Sequence, residues 1–494
     1  MVASRKGESD MPFDSKIDAI GQAAVDLSSL SGVTHADCRV SRIIEEEVRV
    51  RDGAVEALSK SESYGMGVRV LANGAWGFAS EAEVTPQTAV VLRDRAIEIA
   101  RASARLIGEQ VELAPVKAVQ GAYRTKIIND PFKIPLKEKL QYAIHLDSLI
   151  RAISGITRSS AGMTFSRELR YFYSSEGSRI SQEIIHTGGG ITVGVSRGPR
   201  DFVERSFPTS GGQHEAAGYE LIDNLKLAAA IPQLAEEAKA LIDAQPCPSK
   251  TTTVILSGDL VSLQVHESVG HPLELDRVYG SERNFSGTSF ATPDQLGKLK
   301  YASEIVTVHA DPSAEGGLGS FGFDDEGVPA GKSTLIDKGM LTGYLTSRET
   351  AAKLGTTSNG SMRAWSWAFL PLIRMTNIIF APGDKTLAQM ISETDDGIFI
   401  QTPTAWSIDD RREKFQLGGE IGWVIKGGKL AEMVKSPVYV GETVAFWNSC
   451  NAIGTPAEHR LWGTPSCSKG QPAQTIGTAQ GAAPARFANV KIGR

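Results

Sequence analysis

Val265-His266-Glu267-Ser268-Val269-Gly270-His271-Pro272-Leu273-Glu274 concentrates chemistry in ten residues. Two imidazoles bracket a carboxylate that directly follows the first of them. Such a trio can hold a metal ion and supply a base beside it. In the familiar zinc-hydrolase pattern the histidines stand four apart, on one helix face. Here they stand five apart, and at about 100° per residue the second ring points roughly 140° from the first. A regular α-helix cannot present both to one ion. A π-type turn closes the gap, and such turns gather at functional sites. Gly270 offers backbone freedom beside His271, and Pro272 disfavours the α conformation at His271 itself. The spacing predicts a helix from about Asp259 that distorts and ends at His271. The plain alternative is two unrelated histidines on a partly buried helix. A glutamate at the base position and the Gly-His-Pro ending weigh against it.

Immediately upstream, Thr251-Thr252-Thr253-Val254-Ile255-Leu256 reads as a strand by its β-branched content. Ser257-Gly258-Asp259 turns it into the histidine helix, which places His266 and His271 over the end of a sheet. From residue 300 onward short strands and turns dominate, with helices expected near 347–354 and 384–393. Residues 246–494 are therefore expected to form a β-rich, barrel-like catalytic domain. On the N-terminal side, residues 14–30 show helical spacing through Ile17, Ile20, Ala24 and Leu27. Asp52-Gly53 and Asn73-Gly74 mark two hairpins in an antiparallel meander over 36–80. Thr85-Pro86 opens a helix running to about 105, and residues 106–134 read as a connection. A helix follows Pro135. Then come antiparallel strands over 169–195, punctuated by 174–177 and by Gly188-Gly189-Gly190, and one or two helices over 217–243. The expected class is α+β. Residues 1–12 are expected to be disordered, 13–110 and 111–245 to form antiparallel sheet-plus-helix regions, and 246–494 to carry the site.

At 494 residues the chain is too long for one core. Its 41% hydrophobic and 22% charged content is that of a globular protein. A net charge of −5 gives no general attraction for nucleic acid or an anionic membrane. The four cysteines, Cys38, Cys247, Cys450 and Cys467, form no Cys-x-x-Cys pair, which points to a reducing, cytoplasmic setting. No apolar run reaches the roughly 20 residues that span a bilayer. The first ten residues lack the apolar core of a signal peptide.

Two histidines do not complete a catalytic site, which usually has three protein ligands and an open position. The further candidates are Cys450, Cys467, His459 and Glu274. Cys450 follows Val444-Ala445-Phe446-Trp447 and reads as a small buried hydrophobe. Cys467 sits in Pro465-Ser466-Cys467-Ser468-Lys469-Gly470, which reads as a polar, turn-forming loop. Glu274 and Asp276 read either as partners that orient a ligand histidine or as surface salt bridges. His186 and His214 each stand alone and read as ordinary histidines.

The His-Glu-x-x-x-His pattern resembles that of the TldD/PmbA metallopeptidases, specifically the TldD-like active subunit. The likeness extends to Gly65-Met66-Gly67-Val68-Arg69-Val70, Trp76-Gly77-Phe78-Ala79, His271-Pro272-Leu273-Glu274-Leu275-Asp276, Asp324-Asp325-Glu326-Gly327-Val328-Pro329-Ala330 and Arg374-Met375-Thr376-Asn377. Cys467-Ser468-Lys469-Gly470-Gln471 is similar to the family's Cys-Gly-Lys-x-Gly-Gln stretch, with serine for glycine and one residue fewer. The resemblance implies Cys467 as third metal ligand beside His266 and His271. It further implies one Zn2+ (or another divalent transition metal) per active subunit, with Glu267 as general base for a metal-activated water. Arg363, Arg374 and Asn377 become candidate oxyanion donors, and residues 316–329 a candidate cleft wall. Family members are expected to work as dimers enclosing a chamber, either as homodimers or with a PmbA/TldE-like chain, on unfolded or extended peptides. Two other readings are a metal-dependent amidase acting on a small molecule and a non-catalytic assembly subunit with a structural metal. A base at Glu267 has no use in the latter.

Overall fold

The computed structural model describes residues 15–28 and 30–493. The expected disordered segment, 1–12, lies outside the described residues. The fold is mixed helix and strand, as its patterning implied.

One large sheet runs through both N-terminal regions. Val33–Arg51 pairs antiparallel with Ala54–Ala72 on one side and with Arg158–Ser174 on the other. Ala75–Glu81 extends the first edge and Arg179–Gly198 the second. Both hairpins form where the sequence put them. Asp52 and Gly53 (φ 50° and 84°) and Asn73 and Gly74 (φ 53° and 78°) are all left-handed, the turn whose twist suits paired strands. Helix Pro86–Ser103 starts as read, with Thr85 Oγ1 accepting from Thr88 N at 3.1 Å. Two readings fail. Gly188-Gly189-Gly190 does not interrupt anything, because Arg179–Gly198 is one continuous strand paired through the triplet with Gly162, Met163 and Thr164. Residues 106–134 are not all connection, since Gln120–Arg124 joins the sheet parallel to Arg179–Gly198.

The C-terminal half contains a closed five-strand barrel. Asp396–Ile408 runs parallel to Lys250–Leu256, which pairs with Ala485–Ile492. Ala485–Ile492 pairs with Val438–Glu442, that strand with Lys414–Lys426, and Lys414–Lys426 back with Asp396–Ile408. A separate sheet includes Asn377–Phe380, Gln474–Ala482 and Arg460–Lys469. Helix Gly258–Val265 leaves the barrel strand Lys250–Leu256 through Ser257. Val261, Val265 and Val269 are fully buried in one core with Phe446, Trp447 and Phe487. Apolar burial on this scale, at roughly 25 cal/mol per Å², is what fixes the histidine helix in place.

The Asp324-Asp325-Glu326 run joins the two halves. Asp324 Oδ1 accepts from the amides of Glu326 and Val328, closing its own turn. Asp325 meets Arg170 at 2.8 Å and Arg39 at 3.6 Å. Glu326 accepts from Arg69 at 3.4 Å and from the Arg348 amide at 2.6 Å. Arg39, Arg69 and Arg170 all belong to the N-terminal sheet, and Asp325 is fully buried. Arg69 also holds Asp37, whose Oδ2 contacts His35 Nε2 at 3.0 Å. His35 Nδ1 reaches Glu176 at 2.9 Å, and Glu176 reaches Arg348 at 3.0 Å.

Candidate metal centre

The helix does distort between the histidines. Residues His266–Gly270 form a π turn, with the His271 amide donating to the His266 carbonyl. Ser268 sustains this turn. Its hydroxyl donates to the Gln264 carbonyl at 2.6 Å, and Tyr301 Oη donates to the Ser268 carbonyl at 2.5 Å. Carbonyls displaced from the regular ladder thereby keep partners, as buried backbone groups must. Trp447 Nε1 and Gln264 Nε2 in turn donate to Ser268 Oγ.

Two local expectations need correction. His271 keeps helical angles (φ −61°, ψ −43°) despite Pro272, and the chain continues as a 3-10 turn through Leu273. Gly270 has φ −59°, so it supplies no special backbone freedom. What matters is its missing side chain: a Cβ there would lie 2.0 Å from Met375 Sδ.

The widened turn brings the rings together, with centroids 4.8 Å apart and planes at 89°. Cys467 Sγ lies 3.6 Å from His271 Nε2. One ligand atom from each of His266, His271 and Cys467 falls within 4.8 Å of the other two, and all three residues are buried. Cys467 is not on a loop. It sits on strand Arg460–Lys469, just past an irregularity between Thr464 and Cys467 that absorbs Pro465 and Ser466. Burial raises the Cys467 thiol, but His271 and Arg374 outweigh it and the thiol ends below its ordinary value. Burial also keeps His266 below the usual imidazole range, so it is neutral. His266 Nδ1 is buried without a hydrogen-bond partner. A neutral imidazole with an unpaired nitrogen, a second imidazole and an acidified thiol are a donor set that fits zinc.

Glu274 supports this set from behind. Its Oε2 contacts His271 Nδ1 at 3.0 Å, which turns His271 Nε2 toward Cys467. Arg277 and Lys469 also approach Oε2, at 3.3 and 3.5 Å. Burial raises the Glu274 carboxyl, but Lys469, His271 and Arg277 together hold it well below the ordinary carboxylate range. Asp276 accepts from Lys469 Nζ at 2.7 Å and lies outside the donor set. Glu267 is buried beside His266, and its Oε2 accepts from Arg412 Nη1 at 3.0 Å.

The other candidates go elsewhere. His459 Nε2 contacts the Phe380 carbonyl at 3.1 Å, and Cys450 is a buried hydrophobe. Arg374 donates to the carbonyls of Gln474 and Cys467, so it braces the Cys467 strand. Asn377 is spent on Gly319, Asp311 and Ser320. Arg363 donates to the Met375 and Gly477 carbonyls. His186 and His214 are absent from the donor group and line a cavity of about 800 Å³ that Pro465, Ser466 and Ile476, the neighbours of Cys467, also border. Arg412 was missed: it lies in Asp409-Asp410-Arg411-Arg412-Glu413, which reads as a charged surface turn.

Comparison with known proteins gives the family. Residues 36–104 match domain 1, residues 129–244 the central domain and residues 249–493 the C-terminal domain of the PmbA/TldA metallopeptidases. A metalloprotease of Methanocaldococcus jannaschii is 30% identical over 434 residues, covering 85% of this chain and 89% of that one. A zinc metalloprotease TldD homolog of Saccharolobus solfataricus is 22% identical over 425 residues, covering 85% and 89%. The crystal structure of TldE from Thermococcus kodakarensis shares the fold, with a TM-score of 0.70 at 17% identity over 96% of this chain and 98% of that one. The protein is of the metal-dependent peptidase class. It belongs to the TldD/PmbA family. No helix among the described residues is long and apolar enough to cross a membrane.

Proposed function

We propose that this chain is a zinc-dependent peptidase acting on unfolded or extended polypeptide, with His266, His271 and Cys467 holding the ion and Glu267 as general base. The observation that carries the reading is the convergence of three buried donors within 4.8 Å beside a buried carboxylate. The donor group has three members, which leaves a catalytic ion a position for solvent. When bound, zinc supplies Lewis acidity, polarising a carbonyl and bringing the pKa of water from near 16 to about 7. Glu267, next to a ligand in sequence, takes the proton from water and passes it to the leaving amine. Glu274 keeps His271 in the tautomer that offers Nε2. The thiolate of Cys467 offsets one of the ion's two charges.

The TldE likeness supports a pairing with a second chain of this family or with another copy of itself. All four cysteines are unpaired, in keeping with a reducing, cytoplasmic setting. The test measures metal content and hydrolysis of an unfolded polypeptide for the wild type, Glu267→Ala and Cys467→Ala. Glu267→Ala is expected to keep metal and lose cleavage by about 100-fold or more. Cys467→Ala is expected to lose most of both. Wild-type hydrolysis by Glu267→Ala would falsify the base assignment.

A further inference from the structure

We propose that Arg412 is the positioning residue for Glu267, clamping its carboxylate and coupling it to the segment over residues 280–287. The inference rests on the reading of Glu267 as general base. Arg412 is 9% exposed and Glu267 6%, so the pair is held away from bulk water. The contact engages Oε2 of Glu267 through Nη1. Oε1 takes no part in it, which leaves that oxygen for proton exchange.

The second nitrogen of the same guanidinium, Nη2, donates to the Ser286 carbonyl at 3.3 Å. That carbonyl also accepts from Arg277 Nη1 at 2.7 Å, and Arg277 holds Glu274. A polar chain therefore runs from Cys467 through His271, Glu274, Arg277, Ser286 and Arg412 to Glu267. It links the donors to the carboxylate by a route that bypasses the helix. The segment is tied down at other points: Glu282 accepts from the Gly470 amide, and Thr288 donates to the Asp410 carbonyl.

The backbone is built to aim this side chain. Arg412 has φ 64°, a left-handed conformation in a residue other than glycine. Backbone outliers of this kind persist where the surroundings enforce them. Here Asp409 Oδ1 accepts from the amides of Glu413 and Lys414, the Arg412 amide donates to the Asp409 carbonyl, and Thr443 Oγ1 donates to the Arg412 carbonyl. A guanidinium presents its nitrogens as a fixed fork, so it can hold Glu267 and Ser286 together, whereas an ammonium is a single point.

The test compares wild type with Arg412→Ala and Arg412→Lys on an unfolded polypeptide, with zinc content measured in parallel. Arg412→Ala is expected to lower kcat about 10- to 100-fold, with KM and bound zinc nearly unchanged. Arg412→Lys is expected to recover part of kcat, and so is guanidinium added to Arg412→Ala. A second measurement uses metal-free protein: the melting temperatures of Arg412→Ala, Glu267→Gln and the double variant. Strongly non-additive shifts are expected, because each single variant leaves one buried partner unpaired. Additive shifts, or wild-type kcat in Arg412→Ala, would overturn the proposal. Hydrolysis lost in Glu267→Ala but retained in Arg412→Ala removes the clamp and leaves the base standing. Hydrolysis retained in Glu267→Ala removes both.

Discussion

Glu274 is fully buried, and one of its oxygens serves His271, Arg277 and Lys469 at once. Replacing it with glutamine keeps the shape and removes the charge that orients the imidazole. Glu274→Gln is expected to weaken metal binding about 10- to 100-fold, measured by competition with a chelator. The residues of this centre differ in how visible they were. His266, Glu267 and His271 announce themselves because their spacing is local and chemically unusual. Glu274, three residues on, could be read two ways until its partners were seen. Arg412 left no trace, because it meets Glu267 across 145 residues and sits in a run of charges that resembles any solvated turn.

At the level of elements, the π turn is the decisive one, and it was legible from the five-residue spacing once both rings were taken to face one ion. Its supports did not. Ser268, Tyr301 and Trp447 satisfy it from three places in the chain. Gly270 tightens it by letting Met375 pack directly on the backbone. Gly270→Ala has to push aside a fully buried methionine, and overpacking of this kind costs about 1–3 kcal/mol. The variant is expected to melt earlier and to bind zinc more weakly, read by calorimetry and metal titration. A variant with unchanged affinity would mean that Met375 moves freely. Strand Arg460–Lys469 shows the opposite limit of sequence reading. Pro465, Ser466 and Gly470 look like a loop, yet the proline and serine fall in a local irregularity while Cys467 stays paired with Ile476.

For the molecule as a whole, the hairpins and helix caps were legible because they depend on neighbouring residues. The barrel-like C-terminal half was legible too, but not which strands close it, since Lys250–Leu256 finds Asp396–Ile408 and Ala485–Ile492 far along the chain. The junction between the halves carries its own pH dependence. Burial alone would lower His35, but its bonds to Asp37 and Glu176 outweigh that and raise it. Burial raises Glu176, but His35 and Arg348 draw it down to about 2. Stability from Glu176 is therefore present above its unfolded value of about 4.3 and is lost as pH falls toward 2. Stability from His35 is complete below about 6.5 and is lost as pH rises through its raised folded value. Melting temperature plotted against pH is expected to flatten on both sides in His35→Gln, and an unchanged curve would sink this account. The same junction sets an order of events during synthesis. Arg39 emerges early from the ribosome, while the carboxylate it pairs with, on Asp325, is made nearly three hundred residues later. Until then the amino-terminal sheet carries a guanidinium destined for burial without its counter-charge. A nascent chain stalled before residue 324 should remain open to proteolysis, and one extended far enough for residue 326 to clear the ribosome should close.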